Sequence, residues 1–267
     1  MIDSLATRVL LFPSKANKKR IRFCPAMPSV AVIRAQVERR IPGALTVYER
    51  QTPEVFPTGI AVVDRQTGGI PKGALTQLCA PAGITSGRTT LLLSLLAQVT
   101  NKKEEFCAVV DATDCFDPES ALGMGVCLSR LLWARCSGYG MKSVEQAFTV
   151  ADILIQNGGF RVIALDLGNV EEKLIRKIPL TSWFRFARVM EKTPTALVIL
   201  MTHSAAQSCA ALTLHFDVAT AEWSGAETVS HSRLVSRVKF NLEIGRTRTK
   251  KPVQGERSYF SARPQWA

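Results

Sequence analysis

The sequence has no long apolar run, no paired cysteine motif and no internal repeat. No stretch reaches the roughly 18 apolar residues that a membrane span requires, and the beginning of the chain shows no signal-peptide pattern. Its seven cysteines include no Cys-x-x-Cys pair, and several lie in apolar stretches such as 106–109. These absences argue against a membrane protein, a disulfide scaffold and a cysteine-ligated metal site. We therefore expect free thiols in a cytoplasmic protein.

The excess of positive charge is confined to the two ends of the chain. Residues 1–26 carry a net charge of +5, residues 27–230 are neutral, and residues 231–267 carry +7, which accounts for the total of +12. A neutral middle with basic ends favours a polyanionic partner that contacts the ends. The alternative is that the basic ends are solvated tails without a partner.

The pattern along the chain predicts four segments. Residues 1–26 lack periodicity and are expected to form a disordered basic leader, with Met27 as an alternative start of the chain. Residues 27–54 are expected to form a helical arm and a connector. Residues 55–230 are expected to form the core, and residues 231–267 a strand and a basic tail.

The core alternates short apolar runs with amphipathic segments, which predicts a mostly parallel sheet with helices on both faces. The predicted strands are one that begins the segment 74–93, and 106–111, 130–135, 161–166 and 196–203. The predicted helices are 89–99, 118–127, 143–156 and 181–192. Two later segments, 212–217 and 235–244, alternate with a period of two. They predict an antiparallel β extension near the C-terminus.

A strand, a loop of small residues and a helix at 74–93 form the pattern of a phosphate-binding loop. Such a loop reads Gly-x-x-x-x-Gly-Lys-Ser/Thr, but here Ala82 takes the first glycine position and Arg88 that of the lysine. Thr89 keeps a hydroxyl for magnesium, and Asp166 ends a later apolar strand, where it would hold magnesium through water. The candidate nucleotide residues of this loop are Gly83, Thr85, Ser86, Gly87, Arg88, Thr89 and Thr90.

The order of these segments resembles the core of the RecA-type recombinase ATPases over about residues 55–205. The resemblance rests on Gly-Gly-Ile-Pro-Lys-Gly at 68–73, the loop, and the strands that end in Asp111, Asp166 and His203. It rests most on the segment 109–118, Val-Val-Asp-Ala-Thr-Asp-Cys-Phe-Asp-Pro. The resemblance implies a RecA-like P-loop fold, ATP and magnesium as cofactors, and possible self-association. It also implies that Asp117 lies against the adenine.

The departures from the family pattern fall on the residues that perform chemistry. The family's water-activating glutamate is replaced by Thr113, which cannot act as a base near neutral pH. Asp114 is adjacent but is expected to point to the other side. His203 stands where the family has a glutamine that senses the γ-phosphate, and Arg88 is not a compact point charge like lysine. We therefore expect ATP hydrolysis to be weak or absent.

The two ends resemble the shorter RecA-like proteins called ImuA, which are related to SulA. The resemblance rests on a helix from Ser29, its N-cap, to Ile41, followed by Pro42-Gly43, and on the closing pattern at 245–252. It implies a DNA-repair protein of the SOS response, acting as an adaptor to an error-prone polymerase in translesion synthesis. The alternatives are an active DNA-dependent recombinase ATPase and a SulA-like inhibitor of cell division.

Several candidate residues also have a purely structural interpretation. Asp111 suits a cap of the following turn as well as a functional role, His203 suits a scaffold position, and Arg88 suits a solvated helix start. The best nucleic-acid candidates are the basic residues near the C-terminus, although an acidic protein partner fits them too. These residues are Arg246, Arg248, Lys250, Lys251 and Arg257.

Overall fold

The structure is a computed structural model that describes residues 29–42, 45, 54–224, 233–247 and 257–263. The leader at 1–26 and the candidates Arg248, Lys250 and Lys251 lie outside the described residues.

The chain divides into two compact units, Met1–Gln51 and Thr52–Ala267. In the first unit, helix α1 spans Val30–Arg40 and has no buried residue. Ser29 occupies the N-cap position as predicted, but its side chain makes no capping hydrogen bond. The helix itself is thus confirmed.

The second unit is a mixed α/β structure. Its helices are α2 (Ala61–Thr67), α3 (Arg88–Thr100), α4 (Pro118–Gly123), α5 (Met141–Asn157), α6 (Glu172–Ile175) and α7 (Leu180–Met190). Its strands are β1 (Val55–Phe56), β2 (Ile70–Pro71), β3 (Ala74–Cys79), β4 (Phe106–Asp111), β5 (Leu131–Arg135), β6 (Phe160–Asp166), β7 (Ala196–Met201), β8 (Ala210–Phe216), β9 (Thr220–Trp223), β10 (Val235–Thr247) and β11 (Ser258–Ala262). Helix α4 ends four residues earlier than the sequence predicts.

One large sheet organises this unit. Its order is β11-β10-β8-β3-β7-β6-β4-β5, and β9 pairs with β10. The strands from β8 to β5 run parallel to their neighbours, which confirms the predicted parallel core. Strands β1 and β2 form a separate antiparallel pair.

Helices cover both faces of the parallel core. On one face, α3 packs its leucines against β3, β4, β6 and β7. On the other face, α5 and α7 pack against alternate residues of the same strands, with Trp183 and Phe186 fully buried. Successive residues such as Val109 and Val110 enter opposite clusters, because side chains alternate along a strand. This explains why the central strands are continuous apolar runs.

The predicted antiparallel pairing of the two C-terminal segments is confirmed by β8 and β10. Strand β8 pairs parallel with β3 on one side and antiparallel with β10 on the other, so it joins the two parts of the sheet. Strands β9 and β11 both pair antiparallel with β10. Among the described residues, no helix combines the length and the apolar character needed to cross a bilayer.

Candidate functional site

The polar residues that the sequence singles out lie at one edge of the sheet. The carboxyl ends of β3, β7, β6 and β4 meet there, because these neighbouring strands are parallel. The strand register places Asp111 opposite Asp166, and Asp166 opposite Leu200. This edge is where an open α/β sheet forms its ligand crevice.

The phosphate loop connects β3 to α3 at this edge. Ser86 and Gly87 are buried, whereas Thr85 and Thr89 are exposed. Gly87 precedes the helix with φ +81°, a left-handed conformation that favours glycine. The first helical hydrogen bond is donated by Leu91 N to Gly87 O at 3.0 Å, so the preceding amides of α3 point out of the helix end. The loop therefore retains amide donors for an anion.

The side chain of Arg88 turns inward, to the ends of three strands. Its Nη1 donates to the carbonyl of Ala80 at 3.2 Å and to that of Met201 at 3.1 Å, and its Nη2 donates to the carbonyl of Gly168 at 2.8 Å. Burial lowers the pKa of this guanidinium, while the charges of Asp166 and Cys79 oppose that shift. Arg88 is thus not a solvated helix start, and three of its five N–H groups donate to main-chain carbonyls. We call this arrangement the Arg88 clasp.

Gly168 makes the clasp possible. A Cβ on this residue would overlap Nη2 of Arg88 and lie 2.8 Å from its Cζ. The N–H of Gly168 also donates to Oδ1 of Asp166 at 2.8 Å. Sequence reasoning missed Gly168, although a glycine two residues after a strand-ending aspartate was a usable signal.

Asp166 lies close to the Arg88 charge but is not set up as a strong cation ligand. Burial raises the pKa of its carboxyl, and the nearby Asp111 adds to the rise, while the hydrogen bond from Gly168 and the charge of Arg88 oppose it. Burial is the largest of these effects. Burial thus works against the ionised carboxylate, whereas Gly168 and Arg88 favour it.

The acidic residues at the end of β4 and just after it have partners within the protein. Asp111 is fully buried, and its carboxylate accepts from Thr113 N at 3.0 Å and from Phe116 N at 2.8 Å, so it caps the turn. The Thr113 hydroxyl is buried without a hydrogen-bond partner among the described residues. Asp114 has φ +56° and forms a two-point ion pair with Arg135 at 2.7 and 2.5 Å. Asp114 is therefore engaged elsewhere and does not replace the missing base.

The other two polar candidates at this edge also have structural partners. Asp117 is the N-cap of α4 and accepts from Glu119 N and Ser120 N, both at 3.1 Å. Its side chain is exposed. His203 lies 3.2 Å from Oγ1 of Thr202 and 4.0 Å from a carboxylate oxygen of Glu172 on α6, and partial burial lowers its pKa. Among the described residues, no hydrogen bond joins His203 to the clasp.

The C-terminal strands pack on the phosphate loop, which the sequence does not reveal. The ring of Phe240 on β10 lies where a Cβ of Gly87 would be. The N–H of Ala219, between β8 and β9, donates to the carbonyl of Thr85 at 2.8 Å. The loop is thus held by the antiparallel extension as well as by its own helix.

Two of the basic candidates are described, and both are exposed. Arg246 lies on β10 opposite Thr213, and Arg257 directly precedes β11. Neither forms an ion pair with another described residue. Both guanidinium groups are accordingly available to an anion.

The groups at this edge differ in how well they suit ATP and magnesium. The loop amides suit a phosphate, Arg88 donates to main-chain carbonyls, and burial raises the pKa of the Asp166 carboxyl. In the part of the chain that the structure describes, no group of three or more His, Cys, Asp or Glu side chains is placed to hold a metal ion. The amides of the loop therefore fit contact with an anion.

Comparison with known proteins gives a consistent result. Residues 40–172 match the RecA N-terminal domain, a range that ends before His203. The chain is 33% identical to the protein RecA of Rickettsia prowazekii over 144 residues, which are 52% of this chain and 40% of that protein. It is 36% identical to the protein RecA of Bifidobacterium breve over 118 residues, which are 43% of this chain and 28% of that protein.

The matched part of the chain thus spans well under half the length of these curated relatives. It contains the phosphate loop, the segment after β4 and the clasp residues Arg88 and Gly168. Together with the parallel sheet and its helices on both faces, the matches show that this part of the chain is similar to the RecA N-terminal domain.

Proposed function

We propose that this protein is a RecA-like accessory of DNA repair and damage tolerance that contacts DNA and does not hydrolyse ATP efficiently. The Arg88 clasp carries this proposal. Three of the five N–H groups of Arg88 donate to main-chain carbonyls, and these contacts compete with a contact to a transferring phosphoryl group.

The missing base supports the same conclusion. Thr113 stands at the position of the family's glutamate and its hydroxyl has no partner among the described residues, while Asp114 is paired with Arg135. Losing a general base lowers a rate by about 10²- to 10⁴-fold, and losing one electrostatic contact to the transition state lowers it by about 10²- to 10³-fold. The two effects together bring hydrolysis near background.

Binding of ATP without hydrolysis is a separate part of the proposal. The amides of the loop from Gly83 to Thr90 offer a weak phosphate site, and the exposed Thr89 hydroxyl lies beside it. A nucleotide held in this way has a structural or regulatory role. Asp117 is proposed as the adenine contact on the resemblance alone.

The adaptor role beside an error-prone polymerase rests on the resemblance of the chain ends to ImuA-type proteins. We test it by co-purifying the tagged full-length chain with the error-prone polymerase of the same organism, with and without nuclease treatment. Retention after nuclease supports a protein contact. Loss of the polymerase after nuclease, or no retention at all, contradicts the adaptor role.

The enzymatic part is tested by measuring phosphate release from Mg–ATP with and without single-stranded DNA. We expect the same low rate for the wild type and for Asp166→Asn under both conditions. DNA-stimulated hydrolysis that Asp166→Asn abolishes would establish an active recombinase ATPase instead.

A further inference from the structure

The C-terminal strands present one face that no described helix covers. Along β10, Phe240 and Leu242 point into the core with 5% and 2% of their surface exposed, so Asn241 and Glu243 point the other way. The register places Tyr259 of β11 beside Asn241, and His215 of β8 beside Glu243. We call this surface the C-terminal sheet face. Its residues are His215, Arg237, Lys239, Asn241, Glu243, Arg246, Tyr259 and Ser261.

Two rings are displayed on this face. Tyr259 has 64% of its surface exposed. It takes no part in the ring contact between Phe240 and Phe260, which lies on the buried side of the sheet. His215 is exposed and lies over Gly245, where a Cβ would come within 2.5 Å of its Nε2. The glycine thus lets the imidazole lie flat across β10. Exposed flat rings on a sheet are stacking platforms for nucleic-acid bases.

The separation of the two rings favours a single strand over a duplex. Two strand spacings and a two-residue offset place them about 12 Å apart. Stacked bases along one strand of a duplex are about 3.4 Å apart. Consecutive stacked bases therefore cannot occupy both rings, whereas an extended single strand can reach both.

Charge on and around this face is positive. The described residues of β8 to β11 and their flanks contain six basic and three acidic side chains, a net charge of +3. Lys239 and Arg237 both pair with the carboxylate of Glu222, and Nη1 of Arg237 lies 3.6 Å from its Oε2. Arg246 and Arg257 have no ion pair among the described residues, so they are the cations most available to phosphates.

A small cleft borders the His215 ring. Its volume is about 120 Å³, and Asp217, Glu243 and Arg257 line it together with His215 and Asn241. Its two carboxylates would repel phosphates, but carboxylates accept hydrogen bonds from the exocyclic amino groups of bases. A base edge suits this cleft better than a phosphate or an acidic peptide does.

We propose that the C-terminal sheet face binds single-stranded nucleic acid, with bases stacked on Tyr259 and His215 and phosphates held by Arg246 and Arg257. This deepens the DNA contact of the proposed function and rests on it. An acidic protein segment would use the same cations, but it would not require the exposed Tyr259 ring.

The test is fluorescence anisotropy of a labelled single-stranded 20-mer with the full chain. We expect Tyr259→Ala to weaken binding at least about fivefold, and Tyr259→Phe to retain it because the ring is kept. Tyr139→Ala is the matched control, since Tyr139 is 95% exposed and lies outside this face. We also expect a duplex 20-mer to bind more weakly than the single strand.

Arg246→Ala tests the phosphate contact. It should lower the slope of log affinity against log salt by about 0.7, while Arg188→Ala on α7 leaves the slope unchanged. Circular dichroism establishes that each variant is folded.

The outcomes separate this inference from the proposed function. If Tyr259→Ala binds the single strand as well as the wild type does, or if binding depends on charge alone, the C-terminal sheet face is not the binding site. DNA binding itself then still stands. Equal affinity for the duplex overturns the preference for a single strand. No binding by the wild type removes the DNA contact from the proposed function as well.

Discussion

Replacing Arg88 with alanine removes the guanidinium that joins the ends of β3, β7 and β6. The structure sets the size of the effect, because three hydrogen bonds of 3.2, 3.1 and 2.8 Å to carbonyls disappear together. A hydrogen bond from a charged donor contributes about 1.5–3 kcal/mol. Removing the partly buried charge relieves its desolvation, and water reaches some of the freed carbonyls, which offsets part of the loss. We expect Arg88→Ala to lower the free energy of unfolding by about 2–4 kcal/mol.

The assay is urea unfolding at pH 7, followed by circular dichroism. Arg130→Ala is the matched control, because Arg130 donates to the carbonyls of Thr100 and Lys102 at 3.0 and 2.8 Å, away from the phosphate loop. We expect both variants to lose stability, and Mg–ATP to stabilise neither variant nor the wild type appreciably. A loss below about 0.5 kcal/mol for Arg88→Ala would refute the structural role of the clasp.

Three further predictions concern the same site. Gly168→Ala should destabilise the wild type because the new Cβ displaces the Arg88 guanidinium, and it should be nearly neutral in the Arg88→Ala background. Additive losses of stability in this double-mutant cycle would contradict the clasp. Because burial raises the pKa of Asp166 above the usual 3.8, its ionised form destabilises the fold at neutral pH, and this penalty fades as the pH falls to 3.8 and below. In urea unfolding, Asp166→Asn should therefore be more stable than the wild type at pH 7, and this gain should disappear near pH 3.5. A variant less stable than the wild type at pH 7 would contradict this. Gly87→Ala should lower the free energy of unfolding by about 2–4 kcal/mol in the same assay, because both the positive φ and the Phe240 ring oppose a Cβ. If the loss is the same in a Phe240→Ala background, the backbone alone causes it.

The parallel core could be predicted from the sequence because its signal is local. Runs such as 106–111 and 161–166 are apolar throughout, which is what burial on both faces requires. The place of β8 could not be predicted in the same way. The alternation at 212–217 predicts a strand but not its neighbours, because its two pairings, parallel with β3 and antiparallel with β10, depend on partners far away in the chain.

The candidate site could be located from the sequence, but its contacts could not. Arg88 stood out because it replaces a lysine in a recognisable loop. Its acceptors are the main-chain carbonyls of three residues, two of which lie 80 and 113 residues further along the chain, and every residue type carries such a carbonyl. The packing of Phe240 on Gly87 likewise joins two segments that share no local pattern.

Isothermal titration of Mg–ATP into the wild type, Arg88→Ala and Arg130→Ala tests the central claim most directly. If Arg88 is committed to the strand ends, Arg88→Ala binds Mg–ATP at least as well as the wild type, and any binding that occurs depends on the loop amides. Affinity in the wild type that falls about tenfold or more in Arg88→Ala but not in Arg130→Ala would show that Arg88 holds a phosphate. That result would contradict the account.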